Sequence, residues 1–102
     1  MTTPKLPWPH LGETLLEDFM VPLDLSANRL ATELRIPTTR IGDIIHGRRS
    51  ITADTALRLA RYFRTSAEFW MNLQSMYDLR TTANEKLAEV ERDVRPRETA
   101  HA

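Results

Sequence analysis

The chain has no cysteine among its 102 residues, so neither a disulfide nor a thiolate metal site is open to it. That suits a reducing compartment, and a cytoplasmic protein is expected. The three histidines, His10, His46 and His101, are too scattered to form a metal-ligand spacing. Only three glycines occur, Gly12, Gly42 and Gly47, which leaves no glycine-rich loop to cradle a phosphate. No apolar run approaches the roughly 20 residues of a membrane span, and the opening "MTTPKLPWPH" lacks the basic-then-apolar order of a secretory signal. No nucleophile–base arrangement, strand-like alternation or internal repeat is visible. Glu13 with Glu17, and Glu85 with Glu89, have the spacing of carboxylate pairs but read as solvated helix faces. No cofactor, metal, membrane association or enzymatic role is expected.

What is present is an uneven charge. The net charge is zero, from 14 basic and 14 acidic residues, but distribution decides what a surface attracts. Ahead of Ser26, Lys5 stands against Glu13, Glu17, Asp18 and Asp24. Residues 26–64 carry eight arginines (Arg29, Arg35, Arg40, Arg48, Arg49, Arg58, Arg61 and Arg64) against Glu33, Asp43 and Asp54. The remainder holds five basic and seven acidic residues. For Arg58, Arg61 and Arg64 a solvated helix face is as good a reading as a DNA contact.

The periodicity predicts an all-α fold of five helices. Residues 1–10, with three of the six prolines, form a lead-in arm. Leu15, Leu16, Phe19 and Met20 repeat at helical spacing over residues 11–20, and Pro22 stops that helix. Ser26 caps a second helix, whose apolar face is Ala27, Leu30, Ala31 and Leu34. Pro37 presets the first turn of a third, where Ile41, Ile44 and Ile45 face inward, Gly42 leaves room for a neighbouring backbone and Gly47 ends the helix. Thr52 caps a fourth, packed through Ala56, Leu59, Ala60 and Phe63. Either Thr65, with Glu68 in a capping box, or Ser66 opens the fifth. Trp8 and Trp70 are core or interface residues.

The fifth helix carries a stripe of Phe69, Trp70, Leu73 and Tyr77, extended by Ala83, Leu87, Val90 and Val94 towards Pro96. One small core cannot bury so long a stripe. A homodimer through Phe69, Trp70, Leu73, Tyr77 and Leu87 is expected, with a frayed, solvated tail as the alternative. The chain divides into an arm (1–10), a DNA-binding domain (11–80, motif 26–46) and a C-terminal extension with a polar tail (81–102).

"SANRLATEL", "RIP", "TTRIGDIIHG", "RRS" and "ITADTALRLARYF" read as helix, turn, helix, basic loop, helix. In such a unit the second helix enters the major groove by its N-terminal end. Its first outward residues are Thr38, Thr39 and Arg40, with Asp43 one turn on. Arg40 can pair bidentately with guanine, the threonines can meet a thymine methyl, and Asp43 can accept from cytosine or pair with Arg40 or Arg48. Arg48 and Arg49 lie where the phosphate backbone passes. The amides behind Ser26, with Asn28 and Arg29, offer a further phosphate contact.

"LSANRLATELRIPTTRIGDIIHGRRSITADTALRLARYFRTSAEFWMNLQSMYDLR", preceded by "HLGETLLEDFMVPLDLS", closely resembles the HigA-type antitoxins, a branch of the Xre/Cro-like helix–turn–helix family. The resemblance spans residues 9–80, and "GRRSITADTALRLARYF" and "SAEFWMNLQSMYDL" are its most specific parts. It implies a bacterial, dimeric, all-helical protein that neutralises a small basic mRNA-interferase toxin and represses the shared operon at an inverted repeat of double-stranded DNA. It places Thr38, Thr39 and Asp43 at base-reading positions and His46 and Arg48 at backbone-contacting ones. Family complexes with the toxin on the N-terminal helices make Glu13, Glu17, Asp18 and Asp24 a docking patch, or else a plain solvated face. A free-standing transcriptional regulator without a toxin is the alternative function. Two departures stand out. Ala27 replaces the glutamine that many relatives use to buttress or read DNA, and Arg35 stands where many have a glycine of positive φ.

Overall fold

A computed structural model describes residues 9–98. Lys5, Trp8, His101 and nearly all of the expected N-terminal arm lie outside the described residues. Within them the chain is all-helical: α1 (Leu11–Thr14), running into a π-helical turn (Leu15–Met20), then α2 (Ala27–Leu34), α3 (Thr38–Ile45), α4 (Ala53–Phe63) and α5 (Ala67–Asp93). No helix among the described residues is long and apolar enough to cross a membrane.

The π-turn was not legible in the apolar spacing. Val21 N–H donates to the carbonyl of Leu16 at 2.8 Å, one residue further back than in an α-helix. A five-residue repeat then returns to the same face, which is why Leu15 and Met20 are both buried. Leu16 and Phe19 pack more loosely against the same core.

The starts of α2, α4 and α5 are built by a side chain placed three residues ahead of the amide it satisfies. Ser26, Thr52 and Ser66 accept from the amides of Arg29, Thr55 and Phe69. Ser66 is therefore the cap of α5. The neighbouring Thr65 hydroxyl instead accepts from Trp70 Nε1 at 2.7 Å. Pro37 is the N-cap of α3, one position earlier than the sequence suggested. Its carbonyl accepts from Arg40 N–H at 3.0 Å.

Left-handed residues end four helical segments: Asp24 (φ 55°), Arg35 (61°), Gly47 (74°) and Arg64 (61°). After α2 the amides of Arg35 and Ile36 turn back to the carbonyls of Thr32 and Ala31, closing a Schellman motif. Gly47 and Arg48 do the same to Ile44 and Asp43. Arginine thus occupies left-handed backbone twice, in a chain short of glycine.

The core joins Leu11, Leu15, Leu30, Ile41, Ile44, Leu59 and Trp70, all fully buried. Phe19 and Trp70 rings lie 4.9 Å apart, and Phe19 and Phe63 rings 5.0 Å. These contacts pin the end of the π-turn against the α4–α5 elbow. Gly42 does not bring a backbone close, since a Cβ there would meet nothing within 4 Å. Gly12 has that role instead. A Cβ on it would collide with the carbonyl of Ile44, so α1 lies backbone against backbone on the end of α3.

Candidate nucleic-acid interface

The geometry of the α2–α3 unit follows from what it buries. Leu30, Ala31 and Leu34 of α2 and Ile41 and Ile44 of α3 turn into the core, which leaves Thr38 and Thr39 exposed and Arg40 half-buried at the free N-terminal end of α3. Arg40 makes no ion pair among the described residues. Asn28, also exposed, accepts at Oδ1 from the Thr38 hydroxyl at 3.0 Å. The buttress that Ala27 lacks is therefore supplied by its neighbour, the second residue of α2, and the first outward side chain of α3 is held in place.

Several arginines are already engaged. Arg29 pairs with Glu33 one turn on, at 3.0 Å. Asp43 pairs with Arg48 at 3.2 Å and with Arg49 at 3.8 Å, and not with Arg40. Arg58 is bound twice, to Asp54 at 2.8 Å and to the carbonyl of Leu34 at 2.9 Å. It caps the end of α2 from α4, where a cation meets the negative end of the helix dipole. His46 donates from Nδ1 to its own helix at the Gly42 carbonyl, 2.7 Å away.

The loop bearing Arg48 and Arg49 is fixed from a residue the sequence did not single out. Gln74 of α5 accepts from Ile51 N–H at 2.6 Å and donates to its carbonyl at 3.1 Å. The side-chain amide imitates a strand partner, and Ile51 itself is buried. Next to Gly47, at the start of that loop, His10 caps α1 by accepting at Nδ1 from Gly12 N–H, 2.9 Å. Its ring meets Tyr77 edge-on at 5.0 Å. Burial lowers its pKa, against the opposing pull of Asp78 and Glu13.

The residues expected at a dimer contact separate. Trp70 is wholly buried inside the monomer and leaves that set. Phe69 and Leu87 are exposed, while Leu73 and Tyr77 are half-buried. Glu17, Asp18 and Asp24 are exposed, with Glu13 less so. Among the described residues no group of three or more His, Asp or Glu is placed to hold a metal ion.

A helix-turn-helix family profile matches residues 16–70, more than half of the chain. The solved Pseudomonas aeruginosa antitoxin HigA with the higBA promoter superposes with a TM-score of 0.83 at 42% identity, over 86% of this chain and 96% of that one. The chain belongs to the helix-turn-helix family, in its HigA-like branch. An addiction module antidote protein of a HigA family from Coxiella burnetii is equally similar to this HigA-like chain: 46% identity, TM-score 0.84, 90% of this chain and 100% of that one. Virulence-associated protein I of Dichelobacter nodosus is 45% identical over 82 residues, 80% of this chain and 76% of that protein.

Proposed function

We propose that this HigA-like chain is an antitoxin. It binds and neutralises a cognate HigB-type mRNA-interferase toxin and, as a homodimer, represses its own operon by binding an inverted repeat. The observation that carries the DNA half is the N-terminal end of α3, where Thr38, Thr39 and Arg40 project from a buried scaffold beside three further arginines. In this reading Thr38, Thr39 and Arg40 meet base edges, with Asp43 next to them. Arg29, Arg48, Arg49, His46 and the amides behind Ser26 meet phosphates. Asn28 acts through Thr38. The P. aeruginosa HigA solved with its promoter supports the same use of the fold.

The toxin half rests on membership of the HigA-like branch and on the acidic patch of Glu13, Glu17, Asp18 and Asp24, which suits a basic partner. Self-association is assigned to α5, through Phe69, Leu73, Tyr77 and Leu87. Affinity purification of the tagged chain from its own host, with mass spectrometry of what co-elutes, tests the proposal. A stoichiometric small basic protein supports the antitoxin. A dimer that elutes with DNA and no partner makes it a free-standing regulator.

A further inference from the structure

We infer that Asp43 is a selectivity residue: its carboxylate occupies Arg48 and Arg49 and thereby weakens binding to DNA of arbitrary sequence. The inference rests on the DNA-binding reading above. Asp43 gives one oxygen to each arginine, Oδ1 to Arg48 Nε at 3.2 Å and Oδ2 to Arg49 Nε at 3.8 Å. The arginine side chains are 61% and 53% exposed and the aspartate 35%. Pairs this open contribute little to stability. The loop does not need them either, because Arg48 N–H donates to the Asp43 carbonyl at 2.8 Å whatever the side chain does.

What the carboxylate changes is local charge. A phosphate that approaches this loop must displace an anion already seated on both guanidinium groups, and then lie beside it. That penalty is the same for every DNA sequence. Contacts from Thr38, Thr39 and Arg40 offset it only where the bases match, so the ratio of specific to non-specific binding rises. Arg29 is held in the same way by Glu33, at 3.0 Å, whereas Arg40, at the base-reading end, is left without a counter-charge among the described residues. The arginines aimed at the sequence-blind backbone are the ones muted.

The test uses the full chain and fluorescence anisotropy over a salt series. One probe is a mixed-sequence duplex; the other is the duplex immediately upstream of its own coding sequence. Asp43→Asn is expected to raise affinity for the mixed-sequence duplex by ~5-fold, the upper range for an exposed pair, and to steepen its salt dependence by up to about one unit of slope. The gain on the upstream duplex is smaller, so discrimination falls. Asp43→Glu keeps the charge and stays near wild type. In an Arg48→Ala/Arg49→Ala background the gain from Asp43→Asn shrinks, because only its direct repulsion of the phosphate is left to remove; a gain as large as in the wild-type background overturns the inference. Unchanged or weaker mixed-sequence binding by Asp43→Asn overturns the inference. Wild-type protein that binds neither duplex at any salt concentration overturns the DNA-binding reading and this inference with it.

Discussion

The two ends of α5 both carry apolar side chains and meet opposite fates. The first half lays Trp70 at the centre of the core, fully buried and hydrogen-bonded to Thr65, with Met71 and Leu73 packed beside it. From Met76 onward the helix runs on through Leu79, Leu87 and Val90 with all four exposed. An apolar stripe reports that a helix has something to bury, and not whether the same chain provides the cover. Cover comes from the elements that happen to lie opposite: Phe19 and Phe63 for Trp70, none for Leu87 among the described residues.

That contrast predicts a graded set of effects. Trp70→Ala should cost about 3–5 kcal/mol, the usual range for removing a large buried ring, read by urea unfolding; a loss below about 1 kcal/mol would mean that the core is not organised around it. Gln74→Ala comes next. It strips both partners from Ile51, and a buried amide left unmade costs about 1–3 kcal/mol. Amide exchange at Ile51 should accelerate in this variant. Arg35→Gly has the opposite sign. Relief of left-handed backbone at a non-glycine residue should stabilise by about 1 kcal/mol, which in a domain of this size raises Tm by about 4–8 °C. A fall in Tm would show that the arginine side chain secures the turn by some contact of its own.

The dependence on pH should be gentler. The His10 pKa is lowered by burial from its ordinary 6.5, and its Nδ1 must be unprotonated to accept from Gly12. Between the folded pKa and 6.5 the unfolded chain binds more protons, so stability rises with pH through that window. The contribution of His10 is complete above pH 6.5 and is lost as pH falls through the folded value. His10→Asn, which preserves a capping oxygen, should flatten this part of the stability–pH curve. Leu87→Ala should be the smallest change, within about 0.5 kcal/mol in dilute monomer; sedimentation that shows weakened self-association would place α5 at the dimer contact.

The legible parts of the fold share one property: cause and effect lie close in the chain. Ser26, Thr52 and Ser66 each act three residues away, and the apolar repeats of α2, α3 and α4 span a few turns. Arg35 could be suspected of positive φ only through the resemblance, because many relatives have glycine at that position. Apart from the π-turn, which is local, what the sequence does not display acts over distance. Gln74 reaches a residue 23 positions back, and Arg58 a carbonyl 24 positions back; nothing near either marks it as more than a polar helix residue. Gly12 and Gly42 look alike in one dimension, and only the packing of α1 on α3 separates them. At the candidate interface, the outward placing of Thr38 and Thr39 was readable from register alone, whereas Asp43 offered Arg40 or Arg48 as its ion-pair partner, and the structure takes Arg48 and adds Arg49.

Mechanically, the contact at Gly12 turns two helices into a single lever. No side chain stands between the backbones of α1 and Ile44 to act as a cushion. The next residues along from Ile44 are the last turn of α3 and then the arginine loop. A load on the N-terminal helix is therefore transmitted to that loop through main chain, with little slack to absorb it.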